Sequence, residues 1–300
     1  MWFKNSVVFR LPMPVVASLD EVNSAFSAFR LQPCGFGEPV SRGWVSPRAD
    51  DQLVMSINQQ GLFALGVEER LLPSSVIRQF ANERADSISK SEGRQVGRRE
   101  MRDLREATAI QLLPRAFPRR RTTFAWIDHV NGFLVIDSGA QARAEELLEQ
   151  LRRTVEGFQV RLLKTALSPS AAMTGWVAAG AISGAFSIDQ DIEMRSAENG
   201  IVRYEKLSID GADVRDHIAT GKIVTKLAMT WGDRISFVLT ENLQLKRISF
   251  LDILKKQSDG QAENEEERFD IDFTLMAGEM NKMFADLIDA LGGELQEVVV

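Results

Sequence analysis

The sequence predicts an α+β fold built on antiparallel sheets, and three observations carry that reading. Strand-like and helix-like runs are interspersed over the 300 residues without the steady strand–helix–strand alternation of a parallel sheet. The last third holds three successive strand-like runs, 223–231, 234–240 and 245–250, parted only by Gly232-Asp233 and Glu241-Asn242, which is the spacing of a meander. One charged, helix-like stretch, 73–113, separates two strand-rich regions.

Taken in order, 3–10 and 44–45 read as short extended runs. Between them, apolar residues at Leu19, Val22, Phe26 and Phe29 keep a helical period after Ser18, a residue suited to an N-cap. The runs 53–57 and 62–67 flank Asn58-Gln59-Gln60-Gly61, a hairpin turn in which glycine is expected to supply a positive φ. From Pro73 the chain turns helical, with Ser74 or Ser75 at the start and Pro114 as a stop; Gly93 and Gly97 predict two helices or a kinked one. Strands at 122–128 and 132–137 follow, joined at Val130-Asn131-Gly132. An amphipathic helix at 140–155 shows Ala144, Leu147, Leu148 and Leu151 on one face, and 160–163 reads as a strand.

The longest uncharged stretch, 165–188, contains Pro169, Gly175, Gly180 and Gly184, so it predicts a loop, a helix around 171–179 and another loop, not a membrane span. A short helix at 213–220 is stopped by Gly221. After the meander, 258–272 is acidic and polar and predicts an exposed connection, and 275–291 predicts a helix with Leu275, Met276, Met280, Met283, Phe284, Leu287 and Leu291 facing a core. No fixed repeat is present, which excludes a solenoid.

Hydrophobic residues make up 44% and charged residues 26%, the balance of a globular protein with length enough for one large or two ordinary domains. A single cysteine, Cys34, excludes an intrachain disulfide, fits a reducing compartment and reads as a small buried residue. Residues 1–16 carry Lys4 and Arg10 but no apolar stretch of signal-peptide length, so a cytoplasmic location is expected.

Charge is segregated. Residues 73–125 carry twelve Lys/Arg against six Asp/Glu, a local +6 within a chain whose net charge is −6. A polyanion responds to that local field and not to the total. Arg94, Arg98, Arg102 and Arg105, at i, i+4, i+8 and i+11, would lie within roughly 80° of one another on one helix. Glu100, Asp103 and Glu106 would fall on the other side. Such a face suits phosphates, although most charge-rich helices simply present a solvated surface.

Signals of catalysis are weak. The two histidines, His129 and His217, have no partner at metal-ligand spacing and read as surface or edge residues. Gly221-Lys222 lacks the earlier glycine and the following Ser/Thr of a phosphate loop, since Asp216 and Ile223 stand there. Glu265, Glu266 and Glu267 lack the alternating ligands of a calcium loop. No enzymatic activity, cofactor or metal is expected.

Several segments together resemble the recombination-associated protein RdgC family. They are Met1-Trp2-Phe3-Lys4-Asn5, Glu68-Glu69-Arg70-Leu71-Leu72-Pro73, Leu112-Leu113-Pro114-Arg115-Ala116-Phe117, Trp126-Ile127-Asp128 with Val130-Asn131-Gly132, Gly221-Lys222-Ile223-Val224-Thr225-Lys226-Leu227-Ala228, and Leu291-Gly292-Gly293-Glu294. The resemblance implies a curved subunit that forms a ring-shaped homodimer around duplex DNA, binds without sequence preference and restrains the strand-exchange recombinase by occupying its substrate. It implies a discontinuous central body (1–72 and 122–165), a helical basic tip (73–121) and a base (166–300) that holds the meander and the C-terminal helix.

By the same resemblance Phe117 would pack across one subunit junction, and Lys206, with Asp213 as acidic partner, would lie at the other. Leu207 stands where the family can have a polar residue. The DNA-binding candidates are Arg94, Arg98, Arg102, Arg105, Arg115, Arg119, Arg120 and Arg121, the last three forming a dense basic run. Duplex DNA is the expected partner, in a cytoplasmic, nucleoid-associated setting without membrane contact. Binding of single strands stays open, because aromatic platforms such as Trp126 and Trp231 read equally well as core. The alternative is a regulator that binds the recombinase directly through its acidic surface.

Overall fold

In the computed structural model the described residues are 1–12, 18–48, 50–207, 209, 211–251, 254, 262 and 264–295. Seven strands form the first sheet: β1 (Val7–Arg10), β2 (Val40–Val45), β3 (Val54–Ile57), β4 (Gln60–Leu71), β5 (Phe117–Asp128), β6 (Phe133–Ile136) and β7 (Arg161–Leu162). Their order is β2-β4-β5-β6-β1-β7, with β3 pairing the start of β4 where β2 no longer reaches. The second sheet holds β8 (Phe186–Arg195), β9 (Ile201–Tyr204), β10 (Ile223–Trp231), β11 (Ile235–Thr240) and β12 (Leu245–Phe250) in the order β12-β11-β10-β8-β9. Every pairing between these strands is antiparallel; an isolated parallel bridge joins Arg30 to Trp44 of β2.

The helices are α1 (Leu19–Ser27), α2 (Ser74–Glu92), α3 (Arg98–Leu112), α4 (Gln141–Thr154), α5 (Pro169–Ala179), α6 (Ala212–Ala219) and α7 (Glu265–Ala290). Ser18 caps α1 in a reciprocal capping box with Glu21, as a serine three residues before a glutamate allows. Helices α1 and α4 cover one face of the first sheet, where Phe26 stacks on Trp44 with ring centroids 3.8 Å apart and Phe63 meets both edge-on. The opposite face, with Leu62, Trp126 and Phe133, packs on α7, which shares a second core with Leu227, Met229, Phe237 and Leu239 of the second sheet. Phe273 meets Trp126 edge-on at 6.4 Å, and Phe284 lies 5.8 Å from Phe133. Main-chain bonds tie the sheets directly, Ser6 N–H to Leu245 O at 2.8 Å and Ile248 N–H to Lys4 O at 2.8 Å.

Helices α2 and α3 join neither core. They pack on each other through small residues, Ala81 and Ala85 on one side and Thr108 on the other, which Arg84 reaches at 3.2 Å. The result is a helical arm. Gly93, at φ +66°, ends α2 in the left-handed region that glycine adopts without strain, so the kinked-helix alternative resolves into two helices. No helix among the described residues is long and apolar enough to cross a membrane.

Four expectations need correction. The β3–β4 turn places Asn58 (φ 51°) and Gln59 (φ 60°) in the left-handed region; Gly61 instead sits in β4, where a Cβ would come within 2.3 Å of a Leu19 methyl. Strand β5 begins at Phe117, five residues before the expected start, so Arg119, Arg120 and Arg121 are strand residues and not part of the helical tip. The hairpin β8–β9 was not expected, because Asp189, Asp191 and Glu193 dilute the apolar alternation of β8. The expected polar connection at 258–272 is helical from Glu265 onward, the acidic first turn suiting the positive end of the helix dipole and Asn264 capping Glu267 N–H at 2.8 Å. Residues 258–261 and 263 of that expectation lie outside the described residues.

Because Phe273 is buried between the sheets, Phe273→Ala should cost about 3–5 kcal/mol, read as a lower urea midpoint with little change in slope.

Candidate nucleic-acid interface

The arm carries the cations that sequence reasoning singled out, but it does not treat them alike. Arg98, Arg102 and Arg105 share one exposed side of α3. Among the described residues Arg98 and Arg105 have no carboxylate partner, and Arg102 has only Asp103 at 3.9 Å, with both side chains largely in water. Arg99, which the stripe pattern passed over, is also exposed and unpaired among them, and so is Arg115 in the 3-10 turn Leu113–Arg115 that leads out of α3.

Arg94 is not on that helix. It lies in the connection, clamped between Glu92 (2.7 Å) and both oxygens of Glu100 (2.7 and 2.8 Å). Its hydrogen bonds to Glu100 and then to Glu92 raise its pKa further. An i to i+4 extrapolation across Gly93 and Gly97 misplaced it, because the chain breaks between the two helices.

The dense run 119–121 is likewise committed. In the antiparallel register Arg119 faces Glu69 and Arg120 faces Glu68, with ion pairs at 3.1 and 2.7 Å. Glu68 is 5% exposed and its carboxyl is held low, first by the Cys34 N–H (2.8 Å) and then by Arg120. Arg121 pairs with Glu146 of α4, which also takes Arg42 at 2.7 Å. Such cross-strand pairs stabilise the sheet and leave less field for a ligand.

Phe117 opens β5 opposite Leu71 and is 82% exposed. Lys206, just past β9 at φ +55°, points no ion pair at Asp213; its N–H donates to Asp191 at 3.0 Å, and Asp213 is exposed in the first turn of α6. Trp126 and Trp231 are buried, so neither is a platform for a stacked base. Cys34 is buried with its Sγ 3.3 Å from Glu68 O. His129 sits half-buried beside Asp128, and burial lowers its pKa more than the neighbouring charge raises it. Among the described residues no three His, Cys, Asp or Glu side chains gather as a metal site requires.

Sequence reasoning missed one charged surface altogether. On the outer face of the second sheet, Glu193 accepts Arg203 at 2.6 Å and Lys226 at 3.0 Å, and Asp191 takes Arg247 at 2.9 Å. Two adjoining hollows of about 330 and 620 Å³ run between these groups, with Lys206 and Lys246 on their rims. The signal was the acidic alternation of β8, which is legible only once β9 and β10 are known to flank it.

Comparison with known proteins places the chain in context. A family model described as "Putative exonuclease, RdgC" matches residues 1–294. The chain is 44% identical to the recombination-associated protein RdgC of Dechloromonas aromatica (strain RCB), over 99% of both. It is 45% identical to that of Janthinobacterium sp. (strain Marseille), over 99% of this chain and all of that protein. It is 45% identical to that of Bordetella pertussis (strain Tohama I / ATCC BAA-589 / NCTC 13251), over 98% and 99%.

Desolvation opposes the charge of Glu193, yet Arg203, Lys226 and Thr225 outweigh it and hold the pKa at about 2. A depressed carboxyl contributes stability above its unfolded value of 4.5 and loses it as pH falls toward about 2. Glu193→Gln should therefore flatten the loss of stability between these limits, measured as the urea midpoint at pH 5 and pH 3.

Proposed function

The chain belongs to the RdgC family, and from that premise we propose that it is a sequence-independent DNA-binding protein that modulates homologous recombination. In this reading two copies close into a ring around duplex DNA, Phe117 at one junction and Lys206 with Asp213 at the other. Bound DNA is withheld from the strand-exchange recombinase. The protein works in the cytoplasm, on the nucleoid.

The observation that supports the reading best is the contrast between arm and body. Arg98, Arg102 and Arg105, with Arg99 and Arg115, are exposed and almost free of carboxylate partners among the described residues, whereas Arg119, Arg120 and Arg121 are each held by one. A phosphate gains most from a cation that has no ion pair to break. Neutralising phosphates releases condensed counterions, and that release needs no base-reading element. The acidic balance of the remainder repels the wrong face.

The Arg98→Glu/Arg102→Glu double variant should weaken duplex binding at least tenfold at 0.1 M salt. It should also lower the slope of log K against log salt by about 0.9 for each phosphate that is no longer neutralised. An unchanged affinity and slope would remove α3 from the interface.

Masking makes a further prediction: excess DNA should relieve inhibition of strand exchange. Inhibition indifferent to added DNA would replace masking with direct contact to the recombinase. The family description also names an exonuclease. Cleavage of end-labelled duplex in Mg²⁺ would overturn the non-enzymatic reading.

A further inference from the structure

Two phenylalanines stand almost wholly in water, Phe36 at 83% and Phe117 at 82% exposure, more than any other large apolar side chain among the described residues. They are far apart in sequence, yet a single side chain, Arg70, bonds to the main chain of both their segments. Phe36 caps the turn Cys34-Gly35-Phe36-Gly37-Glu38, and that turn is fixed from both sides. Cys34 N–H donates to Glu68 at 2.8 Å, Gly35 N–H to the Glu38 carboxylate at 2.9 Å, and Arg70 N–H to Pro39 O at 2.9 Å.

The Arg70 guanidinium ties the turn to the start of β5. One end donates to Cys34 O at 3.1 Å, and the other to Pro114 O and Ala116 O at 3.2 and 3.4 Å. Phe36 is two residues from the first carbonyl and Phe117 adjacent to the last. Leu71, 41% exposed, pairs with Phe117 across the β4–β5 ladder and completes an apolar corner.

Exposed apolar side chains grouped at one corner and rimmed by polar groups mark an interaction surface. Most cations at the corner are spent, Arg70 on carbonyls and Arg119 and Arg120 on Glu69 and Glu68, which leaves Arg115 beside it for a polyanion. A protein surface with apolar side chains fits it, and the chain carries one. Along the arm, Phe80, Ile88 and Leu104, with Glu83, Arg84 and Ser87 between them, line an open groove between α2 and α3 that no side chain among the described residues fills. A projecting aromatic corner and a groove floored by apolar side chains on one chain suit an isologous contact, in which each copy supplies both.

We infer that Phe36 is a second aromatic anchor, beside Phe117, of the contact this chain makes with a second copy of itself. The inference rests on the proposal that the chain dimerises near Phe117, and its test separates the two. Dimer mass is followed by sedimentation velocity over a dilution series for the full chain, Phe36→Asp, Phe36→Leu and Phe117→Ala, with thermal melts as a check on folding. Phe36→Asp should melt like the parent, since the ring is exposed, yet raise the dimer dissociation constant at least tenfold, about 1.4 kcal/mol. Phe36→Leu, which keeps an apolar contact, should stay within threefold.

If Phe117→Ala dissociates the dimer and Phe36→Asp does not, the role of Phe36 is overturned while the dimer stands. If the parent chain is monomeric at every concentration, the dimer reading falls and this inference with it. If Phe36→Asp leaves dimer mass intact but weakens binding to oligo(dT), Phe36 is a base-stacking platform and the inference is overturned in that direction.

Discussion

Helix α7 buries one wide face against two sheets at once, and the rest of the molecule depends on that. A sheet with one apolar face needs a cover, and two sheets that share one cover are held at a fixed separation. Phe273 and Phe284 meet Trp126 and Phe133 of the first sheet, and methionines 276, 280 and 283 lie in the core that the helix shares with the second. Methionine suits that position because its unbranched, flexible chain fits an irregular gap between two curved surfaces. Polar contacts then fix the helix along its axis: Asn281 to Asp128 on one side, Trp231 to Asp286 and Arg234 to Glu279 on the other. Everything outside this layered body, the arm above all, is free of the packing that holds it.

That division explains the charge pattern. Within the body, cations are used structurally. The β4–β5 register sets Glu68 and Glu69 opposite Arg120 and Arg119, and α4 brings Glu146 to Arg42 and Arg121. On the arm, α3 has a single helical neighbour, α2, and most of its surface faces solvent. Its arginines therefore lack the three-dimensional environment in which partners accumulate. The same sequence feature, a cluster of arginine, means two different things according to whether a second layer of structure lies within reach.

This is also the boundary of what the sequence disclosed. Features set by residues a few positions apart were legible: the Ser18 cap, the meander, the break at Gly93, the apolar face of α7. Features set by distant partners were not. Arg120 is neutralised by a glutamate 52 residues away, which no local window contains. Strand β8 became a strand because β9 and β10 supply Arg203 and Lys226 to its carboxylates, where propensity alone saw a polar stretch. Arg94 failed for the opposite reason: helical periodicity was extended through a connection where the helix had already ended.

An arm without a core of its own has a consequence for any closed assembly. Among its described residues Ala81, Ala85 and Thr108 alone are buried, so its two helices gain little from each other compared with helices that cover a sheet. Phe80 and Ile110 remain in water on the isolated chain. Covering them in a contact between copies would stabilise the arm and close the proposed ring in the same step. To admit duplex DNA the proposed ring has to part at a junction, thermally or on meeting DNA. A junction made by a thin helical arm and a few aromatic side chains meets that requirement, whereas one made through the α7 core would not open without unfolding the protein. The body can then be as stable as its shared helix allows, and the reversible step is confined to the least packed part of the chain.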